Sequence, residues 1–365
     1  MKLQEIIREL EQWAPSALQE TYDNAGLITG SLDWEITGAI CTLDTTPEVV
    51  EEAVKKGCNL IVSHHPIVFQ GLKRITGQNY VERTIILAIQ HKIAIYAIHT
   101  NLDNVSTGVN RRFAEKIGLE NIHVLQPSGG KLAKLTTFCP PTYTEQVLSA
   151  LFAAGAGHIG NYSECSFSTE GNGTFKAGIG TNPFVGEQGI RHTEKEERIE
   201  VILPQYAQGR VVAALQKAHP YEEVAYDVYP LLNTWQDVGA GMMGSLPTAM
   251  DAQEFLQHLS KQFHLQAIRH TQAPNRPIQK VAICGGAGSF LIKKAVQSGA
   301  DAFVTSDVKY HEFFDAEGMM LADIGHWESE QFTIDLLAEF LQAKFPTFAV
   351  LKTGVVTNPV HYFLG

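Results

Sequence analysis

Apolar residues at Leu3, Ile6, Ile7 and Leu10 recur at helical spacing and predict an amphipathic helix at the N-terminus. The polar turn Tyr22-Asp23-Asn24-Ala25-Gly26 follows and leads into Leu27-Ile28-Thr29. Gly38 to Leu43 is a continuous apolar run of strand length. Thr46-Pro47-Glu48 then starts a helix with a hydroxyl cap, proline in its first turn and an early acid, ending near Gly57. A second buried strand over Asn59 to Val62 stops at Ser63-His64-His65-Pro66. A helix is expected over Val81 to His91 and a third strand over Ile93 to Ile98. Strand, helix, strand, helix, strand implies a parallel sheet with right-handed crossovers.

The texture changes near Lys131. Strands are expected over Leu132 to Cys139, Glu197 to Leu203 and Glu223 to Tyr229, and helices over Thr144 to Ala154 and Gly209 to Ala218. Gly155 to Gly189 reads as strands with long turns. That order suggests a ferredoxin-like α+β unit. From Val238 the α/β rhythm resumes: a helix over Asp251 to Phe263, a strand over Lys280 to Cys284, a glycine turn over Cys284 to Ser289 and a helix over Phe290 to Gln297. Strands over Asp301 to Ser306 and Met319 to Ile324 follow, then one long helix from Trp327 to Phe345 and a last strand at Ala349 to Leu351. The fold class is therefore α/β, a two-lobed domain with parallel-type sheets interrupted by an α+β insert. The expected boundaries are 1–128, 129–235 and 236–365.

Composition narrows the function. Hydrophobic residues make up 44% and charged residues 18% of the 365, as in an ordinary globular chain. A formal charge of −11 argues against a broad nucleic-acid or anionic-membrane surface. A small anionic substrate or ligand remains compatible if a local positive centre such as a metal offsets the field. The five cysteines are scattered, with no Cys-x-x-Cys pair, and read as reduced thiols. No signal peptide or membrane-length apolar run is evident, so a cytoplasmic location is expected.

The chemistry gathers at strand ends, where sites in open parallel sheets form. One strand delivers His64 and His65, and Pro66 pushes the chain out of regular structure. The next ends in His99-Thr100-Asn101-Leu102-Asp103. A third is followed by His326-Trp327-Glu328-Ser329-Glu330, whose outer residues share one helix face. Imidazoles and carboxylates together suit a divalent transition metal.

These motifs, with Thr305-Ser306-Asp307-Val308-Lys309-Tyr310-His311, resemble the dinuclear-metal-centre family of NGG-interacting-factor-three-like proteins, often labelled GTP cyclohydrolase 1 type 2 homologues. The resemblance covers nearly all of both α/β segments. It implies His64, His65, Asp103, His326 and Glu330 as ligands of two divalent ions per chain, with no departure at any of the five. It also implies that the insert, with its Ala218-His219-Pro220-Tyr221-Glu222-Glu223 stretch, is CutA/PII-like, and that the chains form toroidal homohexamers. Five ligands for two ions require sharing, for which Asp103 and Glu330 are the natural bridges. Such a pair, typically ~3.5–4 Å apart, activates water at neutral pH and clamps an oxyanion. Zinc, iron(II) and manganese all fit mixed His/carboxylate ligation.

The expected activity is metal-dependent hydrolysis of a nucleotide-like or phosphorylated small molecule. The alternatives are a non-enzymatic, metal-dependent regulatory hexamer and metal storage or delivery. His99 is a candidate general base or an orienter of Asp103, or else a structural histidine, and Asp307 and His311 are candidate catalytic residues lining the cavity, or else caps. The Cys284–Ser289 turn offers N–H groups to an anion or is only a tight turn. Tyr22-Asp23-Asn24 closes over the site or is a plain turn. His219 with Glu222 and Glu223 binds metal or packs an edge of the insert.

Overall fold

The computed structural model describes residues 1–363. It separates into two compact units, Met1–Gln126 with Asp237–Gly365, and Pro127–Gln236.

The first unit contains two sheets. One has five strands in the order Gly26–Thr29, Ala94–Ala97, Leu60–Ser63, Ala39–Thr42, Val350–Lys352. All pairs are parallel except the edge strand Gly26–Thr29. Every residue of the three central strands is buried, which explains their unbroken apolar runs: helices cover both faces. Pro47–Lys55 and Tyr80–Gln90 make the crossovers. The Asn79 side chain caps the latter by accepting from Glu82 N, so that helix begins one residue earlier than the apolar pattern suggests.

The second sheet has six strands in the order Arg269–His270, Met320–Asp323, Ala302–Ser306, Ile278–Ala287, Trp235–Met250, Glu120–Ser128. Its middle three are parallel. Three of its strands were not expected from sequence, of which Arg269–His270 is only two residues long. Trp235–Met250 contains glycines at 239, 241 and 244, which lower strand propensity and hide it. Glu120–Ser128 exposes half its residues and lacks a clean alternation. The expected helix over 327–345 is two helices, His326–Glu330 and Thr333–Lys344. The break seats the Phe332 ring against Phe113 and Phe263, with centroids 5.9 and 6.3 Å away.

The second unit is a four-stranded antiparallel sheet with two helices, Thr144–Ala153 and Gln208–Ala218. Its strands lie in the order Ser166–Lys176, Arg191–Pro204, Leu132–Cys139, Tyr226–Pro230, the ferredoxin-like arrangement. Leu135, Val147, Leu151, Ile199, Val201, Val211 and Leu215 form its buried core. The stretch expected as several strands with long turns is one arm of a long hairpin. Its partner arm, Arg191–Pro204, starts six residues before the expected strand. Among the described residues no helix is long and apolar enough to cross a membrane. All five cysteines are free thiols.

Candidate metal centre

Three carboxyl-end segments of the first unit converge. His64 and His65 leave the strand Leu60–Ser63 but keep its pairing, with His64 N on Thr42 O at 3.1 Å and His65 N on Leu43 O at 2.9 Å. His99 is the N-cap of Thr100–Asn104, whose short turn carries Asp103. His326 opens the helix that ends with Glu330, behind Gly325 at φ +93°. At Gly325 a Cβ would strike the Glu328 carboxylate, so both the turn and the close approach require glycine.

The side chains fall into groups whose candidate ligand atoms lie within 4.8 Å of one another: His64, Asp103 and Glu330; His65, His326 and Glu330; and His64, His65 and His99. The first two groups share Glu330, and its two oxygens divide between them. Oε1 faces His64 Nε2 at 3.9 Å, and Oε2 faces His65 and His326 Nε2 at 3.0 and 3.1 Å. His64 is fully buried and Glu330 nearly so.

Each imidazole is oriented through its Nδ1. His64 donates to Ile98 O at 2.9 Å, His65 to Asp44 Oδ1 at 2.7 Å, His99 to Asp23 Oδ1 at 2.8 Å and His326 to Asp307 Oδ2 at 2.7 Å. A carbonyl only accepts, so His64 Nδ1 carries the proton and its Nε2 presents a lone pair. That lone pair points at Asp103 Oδ1, 3.6 Å away, and neither atom has a hydrogen-bond partner. Buried acceptors facing acceptors are costly unless a cation lies among them. His65 and His326 differ in that both Nε2 atoms, 3.3 Å apart, are bonded to the same carboxylate oxygen, Glu330 Oε2. The donor set therefore fits a divalent metal, and each histidine has the outer partner that metal-binding histidines use.

The titration behaviour has the same origin. Burial lowers His64 and keeps it neutral. Burial also opposes charge on His65 and His326, but hydrogen bonds with Asp44, Asp307 and Glu330 outweigh it. They raise His65 to about 9 and His326 to about 11. Burial and the Glu330 charge push Asp103 up, whereas the three imidazoles outweigh burial at Glu330 and hold it down. Asp23, despite burial, is lowered to about 2 by His99 and Thr100. Without metal, protons on histidine supply the positive charge.

Other expected residues take different places. His99 pairs with Asp23 rather than Asp103, which gives the Tyr22-Asp23-Asn24 turn its role. Asp307, at φ +57° just past its strand, reaches the cluster only through His326. His311 is exposed, edge-on to Tyr310, and belongs to none of the three groups. The Cys284–Ser289 segment extends the preceding strand to Ala287, and Ser289 then enters the 3-10 turn Ser289–Leu291 that leads into the helix Ile292–Gln297. Its Gly286, at φ +61°, lies where a Cβ would collide with Glu330 Oε1. His219 is buried with both nitrogens bonded, Nε2 to Phe138 O at 2.8 Å and Nδ1 to Tyr221 N at 3.1 Å, so it packs an edge of the insert. Asp44 was missed, although it too follows a predicted strand end. Its second oxygen accepts from Thr357 Oγ1 at 2.7 Å.

The sequence matches the profile of the Duf34/NIF3 (NGG1p interacting factor 3) family over residues 1–359. A Halalkalibacterium halodurans relative named GTP cyclohydrolase 1 type 2 homolog is 41% identical over 362 residues, covering 98% of this chain and 97% of its own. A Bacillus subtilis relative of the same name is 40% identical over 327 residues, covering 89% and 88%. The crystal structure of a Bacillus cereus protein related to NIF3 superposes with a TM-score of 0.86 at 38% identity, covering 100% of this chain and 99% of that one.

Proposed function

The chain belongs to the Duf34/NIF3 family, and we propose that its cluster is a dinuclear hydrolytic centre for a phosphorylated or nucleotide-like small molecule. One ion would be held by His64, Asp103 and Glu330, and the other by His65, His326 and Glu330. Zinc, iron(II) and manganese all suit these donors. The observation that carries the reading is the pair of three-donor groups sharing Glu330, with His64 Nε2 and Asp103 Oδ1 buried and unpartnered. When bound, such ions supply Lewis acidity toward a phosphoryl or carbonyl oxygen and lower the pKa of water.

The chain's own residues do the rest. Ile98 O, Asp44 and Asp307 lock the rings of His64, His65 and His326, so their Nε2 atoms are aimed before any ligand arrives. His99 Nδ1 is committed to Asp23, which leaves Nε2 to take a proton from the attacking water or return one to the leaving group. Asp307 is a positioning residue in this scheme, and His311 has no part in it. The relatives' name makes GTP the first substrate to try, followed by a panel of phosphoesters.

The test combines metal analysis by mass spectrometry with turnover. Two ions per chain and a hydrolysed substrate are expected. Asp103→Asn should retain the fold and lose turnover by about a hundredfold or more. No turnover on any substrate at full metal load would sink the enzymatic reading. It would favour a second one, a metal-dependent regulatory homohexamer, which the ligand-sized cavity of the insert supports.

A further inference from the structure

The insert contains a cavity of about 700 Å³ that the metal centre does not use, within the size range of small-molecule sites. It opens among the long hairpin, the 177–185 segment that follows the hairpin's first arm, and the turn after Gln208–Ala218. Phe138, Phe175, Phe184 and Tyr221 contribute aromatic surface, the last two with ring centroids 5.9 Å apart and inclined by 44°. Gly171 and Gly173, two apart on one strand, share a face and leave it without side chains. The Glu196 carboxylate occupies that space, where a Cβ on Gly173 would strike its Oε2. Its Oε1 accepts from the Tyr221 hydroxyl at 2.9 Å.

The charges on the wall are unbalanced. Of the charged lining residues, Glu170 and Lys176 alternate away from the glycine face, and Glu222 accepts from Asn182 N at 3.0 Å. Arg198 is paired with Glu200 at 2.7 Å, which leaves Glu196 with the Tyr221 hydroxyl and no cation among the described residues. Burial and the neighbouring Glu196 push the Tyr221 phenol up, as a negative local field requires. An anion would meet repulsion here, and a neutral apolar molecule would leave the Glu196 charge without a counter-ion. Aromatic faces beside a carboxylate are what an organic ammonium group prefers.

We propose that this cavity binds a small organic cation, with its apolar body against Phe184 and Tyr221 and its ammonium group beside Glu196. The site is independent of the metal centre. The probe is benzyltrimethylammonium, titrated calorimetrically into the full-length protein, with 3-phenylpropionate as the anionic control. Saturable binding of the cation and none of the anion are expected, unchanged by a chelator. Glu196→Gln keeps an acceptor for Tyr221 but removes the charge, and half-exposed Phe184→Ala removes a ring; each should weaken binding about tenfold. No saturable heat, equal binding of the anion, or wild-type affinity in both variants would overturn the proposal.

Discussion

His64 and His219 are both buried histidines at the ends of regular elements, one in the α/β unit and one in the insert, yet their surroundings ask for opposite things. His219 has a donor for one nitrogen and an acceptor for the other, and it is complete as a neutral imidazole. His64 has an acceptor for Nδ1 and only acceptors in front of Nε2. The first is a packing residue; the second has the surroundings of a candidate metal ligand. Burial alone does not separate the two, whereas the polarity of what each ring nitrogen faces does.

Chelation should sharpen that contrast most. If each ion is present at about a thousand times its dissociation constant, removing it costs the α/β unit about 4 kcal/mol. Hydrogen exchange after chelation should accelerate around His64, Asp103 and Glu330 while the insert keeps its protection. Equal loosening of both units would break the comparison. A smaller effect is expected of Asp44→Asn, which weakens the hold on His65 and leaves all five proposed ligands in place. Metal affinity should fall by about 10–100-fold, read by competition with a chromophoric chelator.

The smallest effect is the pH response of the insert. Burial lowers the His219 pKa below its ordinary 6.5. The unfolded chain therefore takes up the proton first, and stability tied to the neutral ring is present above pH 6.5 and declines as pH falls below it. Exchange protection of the insert should drop between pH 7.5 and 5.5 in the wild type and drop less in His219→Gln. An identical response in both would assign that pH sensitivity to other groups.

The sequence made the six central residues legible for a physical reason. His64, His65, His99 and His326 each follow an apolar run at the carboxyl end of a strand, with Asp103 and Glu330 four residues on from His99 and His326. Parallel strands carry such groups to the carboxyl edge of their sheets, here two strands of one sheet and one of the other. Asp44 occupies an equivalent position but stands alone, so nothing local distinguished it from a turn residue. Asp23 and Asp307 were visible as polar residues, but which histidine each would hold depends on distances set by the fold. The glycine run at 284–288 read as a turn; Gly286 in fact makes room for the Glu330 carboxylate. The strand Trp235–Met250 and the break before Thr333–Lys344 escaped notice because tertiary packing, not propensity, decides them.

The discontinuity of the α/β unit also sets a timetable for synthesis. His65 emerges from the ribosome 265 residues before Glu330, the carboxylate that joins the two halves of the site. At ordinary translation rates that interval is roughly ten to fifty seconds, ample for the insert to fold while the first half waits. Once Asp103 has followed, the proposed ligands His64, His65 and Asp103 stand without the closing carboxylate for the rest of it. On the proposed dinuclear reading, the ion the nascent chain meets in that interval would help set metal identity alongside the finished geometry.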